Sequence, residues 1–334
     1  MAEFDGTLSS VISTRGPFGN ETLPIFASGD LDSKKAILFI GGLGNGLGDV
    51  PFTYALSVAL GRIGWKLVQM HWSSAHEGFG TGSIDRDRDE MECVVKHLRF
   101  QGQLSPLLTL SNRNDLCIGH EKIVIMGHST GSQDVINYLS SPSLIPSATA
   151  HIPWTDPGCL ASMRAKVDGG IMQAPVSDRE YHVSADNRAW LDALPVAEKM
   201  LKEGNGDELL PKPVRERMGV MMTAYRAWSL LAVGGYDDYF SADIPIHDSS
   251  GKFCHPLSQS FGKLSSPALA LYSGKDEFGQ PGDRTPVLQR WAEVSGGKLE
   301  WKIIPGAGHA IPEPSAQVMM CGIVTEWLKR VVEN

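Results

Sequence analysis

The clearest chemical signature in the chain is the pentapeptide Gly127-His128-Ser129-Thr130-Gly131, which matches the pattern G-x-S-x-G. It directly follows an apolar run at residues 122–126, and apolar residues at helical spacing come after it. In this strand–turn–helix context the serine lies on a strained turn that exposes its hydroxyl above the sheet. The glycines are needed because helix and strand approach closely there. The pattern predicts that Ser129 is a nucleophile.

A serine hydroxyl needs a general base near neutral pH, and that base needs a carboxylate to orient it. We predict His309 as the base, because it lies in a glycine-rich segment between the last predicted strand and the closing helix. We predict Asp276 as the acid, because it directly follows a predicted strand. Asp178 follows an earlier strand and is the main alternative. The chain order Ser, Asp, His is that of α/β-hydrolases.

The negatively charged oxygen that forms during acyl transfer requires two hydrogen-bond donors fixed in advance. The backbone amide of Thr130, the residue after the nucleophile, is expected to be one of them. The second is expected in the loop Gly41-Gly42-Leu43-Gly44, which follows an apolar strand. We assign it to the Leu43 amide, with Gly44 as the alternative. The alternative that this segment is an ordinary flexible loop is not excluded by the sequence, because backbone donors leave little trace in it.

Spacing disfavours a cofactor or a metal. The glycine loop reads Gly42-x-Gly44-x-x-Leu47, so it lacks the third glycine of the dinucleotide fingerprint, and the chain has no Gly-Lys-Ser/Thr triplet. His71 and His76 are not spaced as H-E-x-x-H and have no obvious third ligand. We therefore expect no cofactor and no metal of the protein's own.

The elements that must position these residues alternate between apolar strands and helical stretches. This alternation is typical of a doubly wound, mainly parallel sheet. The predicted strands are residues 36–40, 66–71, 122–126, 167–174, 267–272 and 299–304. Ser83 is a predicted N-cap of one helix. The closing helix has a predicted core stripe at Ala316, Met319, Met320, Ile323, Trp327 and Val331.

The strand series is interrupted between residues 177 and 263, where stretches such as 214–232 have helical character. The sequence therefore predicts an α/β-hydrolase fold with a helical cap, or lid, inserted into one domain. Residues 1–176 and 264–334 are predicted to form the hydrolase core, and residues 177–263 the mainly helical cap. Neither the oligomeric state nor any motion of the cap is indicated.

Composition excludes several classes of function. The chain has 334 residues with 30 basic and 38 acidic side chains, a net charge of −8, so nucleic acid is not an expected partner. No polybasic cluster or long apolar segment points to a membrane, and acidic residues near the N-terminus do not fit an export signal. The cysteines are odd in number and scattered, which favours reduced thiols in a cytoplasmic protein. They are Cys93, Cys117, Cys159, Cys254 and Cys321.

Four segments carry a family resemblance: F-I-G-G-L at 39–43, G-F-G-T-G-S-I-D-R-D at 78–87, M-G-H-S-T-G-S-Q-D at 126–134 and Q-A-P-V-S-D-R-E at 173–180. They resemble a largely fungal branch of the α/β-hydrolase superfamily that includes intracellular esterases of fusarinine-type siderophores. The sequence departs from the common hydrolase pattern at Gly41, where a histidine is usual.

The resemblance implies a serine esterase that cleaves the ester bonds of a hydroxamate siderophore through an acyl-enzyme. Such a substrate joins several iron-binding groups by esters, so hydrolysis weakens its hold on Fe(III) and aids iron release. The expected partner is this small-molecule ester, with or without iron. The alternatives are a carboxylesterase, lipase or thioesterase acting on another small acyl substrate, and a non-catalytic ligand-binding protein of the same fold.

Overall fold

The computed structural model describes residues 4–16, 19–100, 119–141 and 164–333. Within these ranges eight strands form one sheet in the order β1-β2-β4-β3-β5-β6-β7-β8. The strands are β1 (Thr7–Gly16), β2 (Gly19–Gly29), β3 (Lys35–Ile40), β4 (Lys66–Met70), β5 (Lys122–His128), β6 (Gly169–Gln173), β7 (Ala268–Ser273) and β8 (Leu299–Ile304).

Helices flank this sheet and fill the segment between β6 and β7. They are α1 (Thr53–Gly61), α2 (Ile84–Phe100), α3 (Thr130–Ser140), α4 (Asp178–Ser184), α5 (Arg188–Leu191), α6 (Ala193–Lys202), α7 (Lys212–Met218), α8 (Ala224–Leu231), α9 (Thr285–Val294) and α10 (Pro314–Trp327). A π-helical turn, Leu328–Val332, continues α10. None of the helices in the described ranges combines the length and the apolar character needed to cross a membrane.

The six strands from β4 to β8 in the sheet order are parallel, and β1 and β2 are antiparallel additions at one edge. Strand β3 shows why the inner parallel strands are largely apolar. Its Ile37 and Phe39 pack with α1 and α10 on one face, and its Leu38 and Ile40 pack with α2 and α3 on the other. Both faces of the sheet are therefore covered, which is usual for parallel strands.

The structure confirms the predicted fold class and the six parallel strands, with ends shifted by a few residues. The Ser83 hydroxyl accepts a hydrogen bond from the Arg86 amide at 3.2 Å, so the predicted cap is present at the start of α2. The hairpin of β1 and β2 was not predicted. The stripe on α10 is wrong at Met319, which is 46% exposed, whereas Met320 is buried against the sheet.

The segment between β6 and β7 is helical and has its own apolar cluster. The stretch 214–232 forms two helices rather than one, because Gly219 adopts a positive φ of 74° that ends α7. The Thr223 amide donates to the Gly80 carbonyl at 2.9 Å, which joins this segment to the rest of the fold. The buried residues of this separate cluster are Ala193, Ala197, Leu210, Val214, Met218, Met222, Ala224, Ala227, Leu230 and Leu231. The exact domain boundaries stay a prediction.

Three of the five cysteines lie in described residues. Within the described ranges no disulfide involves Cys93, Cys254 or Cys321. The other two, Cys117 and Cys159, lie outside the described residues.

Candidate active site

Ser129 lies at the turn between β5 and α3, with φ 55° and ψ −122°. A non-glycine residue with positive φ is strained and persists only when its surroundings hold it in place. The Ser129 amide donates to the Gln173 carbonyl at 2.9 Å, which fixes the turn to β6. At Gly127 a Cβ atom would come within 1.9 Å of the Gly131 carbonyl oxygen, so only glycine fits there. The turn thus has the backbone strain and the close helix–strand approach of a nucleophile elbow.

His309 and Asp276 are brought together by the loops that follow β8 and β7. The Nδ1 atom of His309 lies 2.8 Å from Asp276 Oδ1 and 2.9 Å from Oδ2. Both side chains are largely buried. The histidine loop is fixed to the loop after β7, because the His309 amide donates to Glu277 Oε2 at 2.8 Å. An imidazole that donates from Nδ1 to a carboxylate keeps its lone pair on Nε2, which is the form a general base requires.

Asp178 has a different set of contacts. It is the first residue of α4, and its Oδ2 accepts a hydrogen bond from Gln133 Nε2 at 3.1 Å. Burial raises the pKa of this carboxyl above its usual value. Of the two carboxylates considered from the sequence, Asp276 is therefore the one bonded to the imidazole of His309.

The glycine loop after β3 lies against the serine turn. A Cβ atom added at Gly42 would come 2.7 Å from the Cβ of Ser129, so the two backbones are in close contact. The Gly42 amide is occupied, because it donates to Asn45 Oδ1 at 2.9 Å. Leu43 follows it in the same turn. Thr130 is the first residue of α3, where backbone amides have no partner within the helix.

Gln173 is a fully buried polar residue whose role was not predicted from the sequence. Its Oε1 lies 2.5 Å from Nδ1 of His128, and its Nε2 donates to the Ser273 hydroxyl at 3.2 Å and to the His309 carbonyl at 3.1 Å. It therefore ties together the ends of β5, β6 and β7 and the histidine loop. The available signal was a glutamine that ends an otherwise apolar buried strand.

His128 directly precedes Ser129, and its ring contacts that of the predicted base. Its ring centroid is 4.8 Å from that of His309. Burial, together with the neighbouring His309, lowers the pKa of His128 to about 3. His128 is therefore neutral at physiological pH, and it brings no second positive charge next to His309.

A second feature missed from the sequence is a cluster of buried charges between α8 and the core helices α2 and α3, which we call the Arg226 cluster. Arg226 is fully buried and pairs through Nη1 with Oδ2 of Asp237. Asp87 and Asp134 are also fully buried, and they and Asp178 interact electrostatically with this guanidinium. Burial raises the pKa of all four carboxyls.

The histidines that were disfavoured as metal ligands lie near each other, with 5.4 Å between the ring centroids of His71 and His76. Among the residues that the structure describes, no group of three or more His, Cys, Asp or Glu side chains is arranged to hold a metal ion.

The sheet order and its helical layers are those of the α/β-hydrolase fold. The solved structure of the siderophore hydrolase EstB from Aspergillus fumigatus superposes with a TM-score of 0.71, covering 98% of this chain and 99% of that one at 24% identity. At that identity the similarity establishes the fold alone.

Two fungal sequences are more similar. A UPF0613 protein of Schizosaccharomyces pombe is 33% identical over 303 residues, which is 86% of this chain and 84% of the relative. The fusarinine C esterase sidJ of Aspergillus fumigatus is 31% identical over 329 residues, which is 87% of each chain. The family described as "Protein of unknown function (DUF1749)" matches residues 11–329. This chain therefore belongs to the DUF1749 family.

Proposed function

We propose that this protein is a serine ester hydrolase with Ser129 as nucleophile, His309 as general base and Asp276 as the orienting acid. The observation that carries the proposal is the pair of short contacts between His309 Nδ1 and the Asp276 carboxylate, beside a strained serine turn at the same edge of the sheet. A relative that is 31% identical to this chain is named a fusarinine C esterase, which supports ester hydrolysis as the reaction class.

In the proposed reaction, Nε2 of His309 takes the proton of the Ser129 hydroxyl as Oγ attacks the ester carbonyl. The resulting imidazolium is stabilised by the carboxylate of Asp276, which stays ionised. The amides of Leu43 and Thr130 are assigned to the carbonyl oxygen as it gains negative charge.

The tetrahedral intermediate collapses when the C–O bond breaks and His309 returns the proton to the leaving alcohol. This step leaves the acyl group as an ester on Ser129. Water then repeats the sequence: His309 takes its proton, the oxygen attacks the acyl carbonyl, and Ser129 leaves with the proton. The products are an alcohol and a carboxylic acid, and no oxidant, reductant or cofactor is consumed.

The proposed substrate is a hydroxamate siderophore whose units are joined by esters, as in fusarinine-type compounds. Three bidentate groups on one molecule hold Fe(III) at high effective concentration, and each ester cleaved removes part of that advantage. Iron in this proposal is part of the substrate. We also propose a cytoplasmic location, on the basis of the scattered cysteines, and a cap formed by residues 177–263.

Labelling with a fluorophosphonate tests the nucleophile directly. The wild-type protein is expected to form one adduct, on Ser129, and Ser129→Ala to form none and to lose about 10⁴-fold or more in kcat. Ser250→Ala, at an exposed serine, serves as the matched control and should label like the wild type. Esterase turnover that persists in folded Ser129→Ala contradicts the proposal.

The substrate class is tested by mass spectrometry of products from ferric and iron-free fusarinine-type triesters, compared with simple acyl esters and thioesters. Higher kcat/KM for the triesters supports the siderophore assignment. If only simple esters are hydrolysed, and this depends on Ser129, the result favours a general carboxylesterase. Saturable binding of a siderophore without turnover favours a non-catalytic binding protein.

A further inference from the structure

A series of aromatic rings runs from His309 to the helical segment after β6. The ring of Phe278 lies 4.7 Å from that of His309, and the ring of Tyr181 on α4 lies 4.8 Å from that of Phe278. His182 follows at 5.1 Å from Tyr181 and stacks on Trp190 of α5 at 4.4 Å. We call Phe278, Tyr181, His182 and Trp190 the aromatic series.

Phe278 is the member of the series that a substrate would meet beside the base. Its side chain is 37% exposed, whereas His309 and the other ring in contact with it, His128, are buried. An apolar ligand group that covers this ring would gain free energy by removing apolar surface from water.

The aromatic series is uncharged near neutral pH. His182 is the one member that could carry a positive charge there, and burial lowers its pKa to about 4. Its Nδ1 lies 3.1 Å from the side-chain nitrogen of Asn187, and its ring is nearly parallel to that of Trp190, with 13° between the planes. The series therefore favours an apolar or π-rich group over an anionic one.

The series is held by polar contacts between the loop that carries Asp276 and helix α4. The side chain of Gln280 donates to the Ser184 hydroxyl at 3.1 Å. Arg284 and Glu180 form an ion pair at 3.5 Å. These contacts flank Tyr181 on α4 and follow Phe278 in its loop, so they hold the two rings in a preorganised surface, which lowers the entropic cost of binding.

The position of Phe278 indicates which half of an ester it contacts. In the proposed mechanism His309 returns its proton to the leaving alcohol, so the carbon attached to that oxygen lies next to the imidazole. The exposed ring that contacts the imidazole is Phe278. We infer that the aromatic series is a binding site for the apolar part of the alcohol half of the ester, and that Phe278 and Tyr181 determine specificity for it. This inference rests on the proposed function.

The test compares kcat/KM for hexyl acetate and methyl acetate, measured as acid release in a pH-stat. In Phe278→Ala the ratio of the two values is expected to fall about tenfold to a hundredfold, the range for a lost apolar contact in a specificity pocket. Tyr181→Ala should lower it less, because Tyr181 lies farther from His309. Phe278→Leu keeps an apolar side chain and should stay within about threefold of the wild type.

Tyr54→Ala is the matched control, since Tyr54 is an aromatic residue with 42% exposure on α1 and contacts Phe4. The ratio should not change in this variant. A parallel series of methyl esters with acetyl and hexanoyl groups asks whether the acyl half uses the same surface. If Phe278→Ala lowers kcat/KM more for methyl hexanoate than for methyl acetate, the assignment of the site to the alcohol half is overturned. An equal loss for hexyl and methyl acetate shows that Phe278 positions His309 and overturns a binding role.

The two proposals fail in different ways. Absence of Ser129-dependent hydrolysis of every ester by the wild type contradicts the proposed function, and the inference with it. Ser129-dependent hydrolysis with an unchanged ratio in Phe278→Ala contradicts the inference alone. Circular dichroism melting of each variant establishes that the comparison is made on folded protein.

Discussion

Replacement of Arg226 by methionine is expected to destabilise the protein strongly, because its guanidinium is the shared partner of four buried carboxyls. Asp237 is paired with it directly, and Asp87, Asp134 and Asp178 interact with its charge. Arg226 and Arg86, which lies 3.8 Å from Asp87, supply two positive charges to these four carboxyls, so charge balance in the buried site favours two ionised and two protonated carboxyls. Without Arg226 one further carboxyl must take up a proton in the folded state.

The magnitude follows from the cost of that proton. An aspartate carboxyl with a usual pKa of 3.8 is ionised in the unfolded chain at pH 7. Holding it protonated in the folded state costs about 1.4 kcal/mol for each pH unit above that value, or about 4 kcal/mol at pH 7. This agrees with the roughly 3–5 kcal/mol typical of breaking a buried ion pair.

The pH dependence has a definite sign. Burial raises the pKa of the carboxyls in the Arg226 cluster in the folded state, so the folded protein binds more protons than the unfolded chain. The stability they contribute is therefore present below about pH 4 and is lost as the pH rises. The folded Arg226→Met variant holds one more such proton than the folded wild type. Its free energy of unfolding is therefore expected to be lower than that of the wild type by about 2 kcal/mol at pH 5 and by about 4 kcal/mol at pH 7.

Urea unfolding followed by circular dichroism at pH 5, 6 and 7 measures this deficit. Arg330→Met is the matched control, since Arg330 pairs with Glu300 on the surface and should change the free energy of unfolding little at any of these pH values. Arg226→Met combined with Asp237→Asn removes a titrating carboxyl and should recover much of the loss and of its pH dependence. A deficit that is the same at pH 5 and pH 7, or no larger than that of Arg330→Met, refutes the reasoning.

Three further predictions concern the candidate active site. Asp276→Asn should lower kcat by about 10⁴-fold because the imidazole loses its orienting acceptor, whereas Asp178→Asn should lower it far less; the reverse order would assign the acid to Asp178. Gly42→Ala should slow fluorophosphonate labelling, because its Cβ would lie 2.7 Å from the Cβ of Ser129; labelling at the wild-type rate would show that the loop adjusts freely. Gln173→Leu should lower the free energy of unfolding in urea by about 1–3 kcal/mol, because it leaves buried hydrogen-bond partners unsatisfied. It should also lower kcat, and an unchanged kcat would show that Gln173 does not support catalysis.

The parts of the fold that were predictable from the sequence depend on local patterns. A strand followed by a glycine-rich segment occurs at Gly41, at Gly127 and before His309, and each pattern is complete within a few residues. Parallel strands place their carboxyl ends at one edge of the sheet, so chemistry that follows separate strands converges there. This is why candidate site residues distant in the sequence could be proposed together.

The β1–β2 hairpin could not be predicted in this way. β1 is an edge strand with Val11 facing the core and with Leu8 and Ile12 largely exposed, so apolar residues occur on both of its faces. The alternation that identifies a half-buried strand is therefore weak. Its pairing with β2, and that of β2 with β4, depends on register across the sheet, which the local sequence does not contain.

Polar residues in the interior were missed for a related reason. Gln173 bonds side chains and carbonyls that are 45, 100 and 136 positions away in the sequence. Arg226 is the third residue of an amphipathic helix, where an arginine is ordinarily expected at the surface. Only the assembled fold shows that these two side chains are buried and which groups they satisfy.

The short segment after β6 connects the candidate site with both features found only in the structure. Gln173 ends β6 beneath the serine turn and the histidine loop, Asp178 starts α4 within the Arg226 cluster, and Tyr181 one turn later contacts Phe278. A change that shifts α4 would therefore alter the aromatic series and the buried charges together. Two substitutions separate these effects. Arg226→Met is expected to lower the free energy of unfolding in a pH-dependent way, whereas Phe278→Ala is expected to change the selectivity between alcohol groups. A loss of alcohol selectivity in folded Arg226→Met would show that the buried charges also set the position of α4.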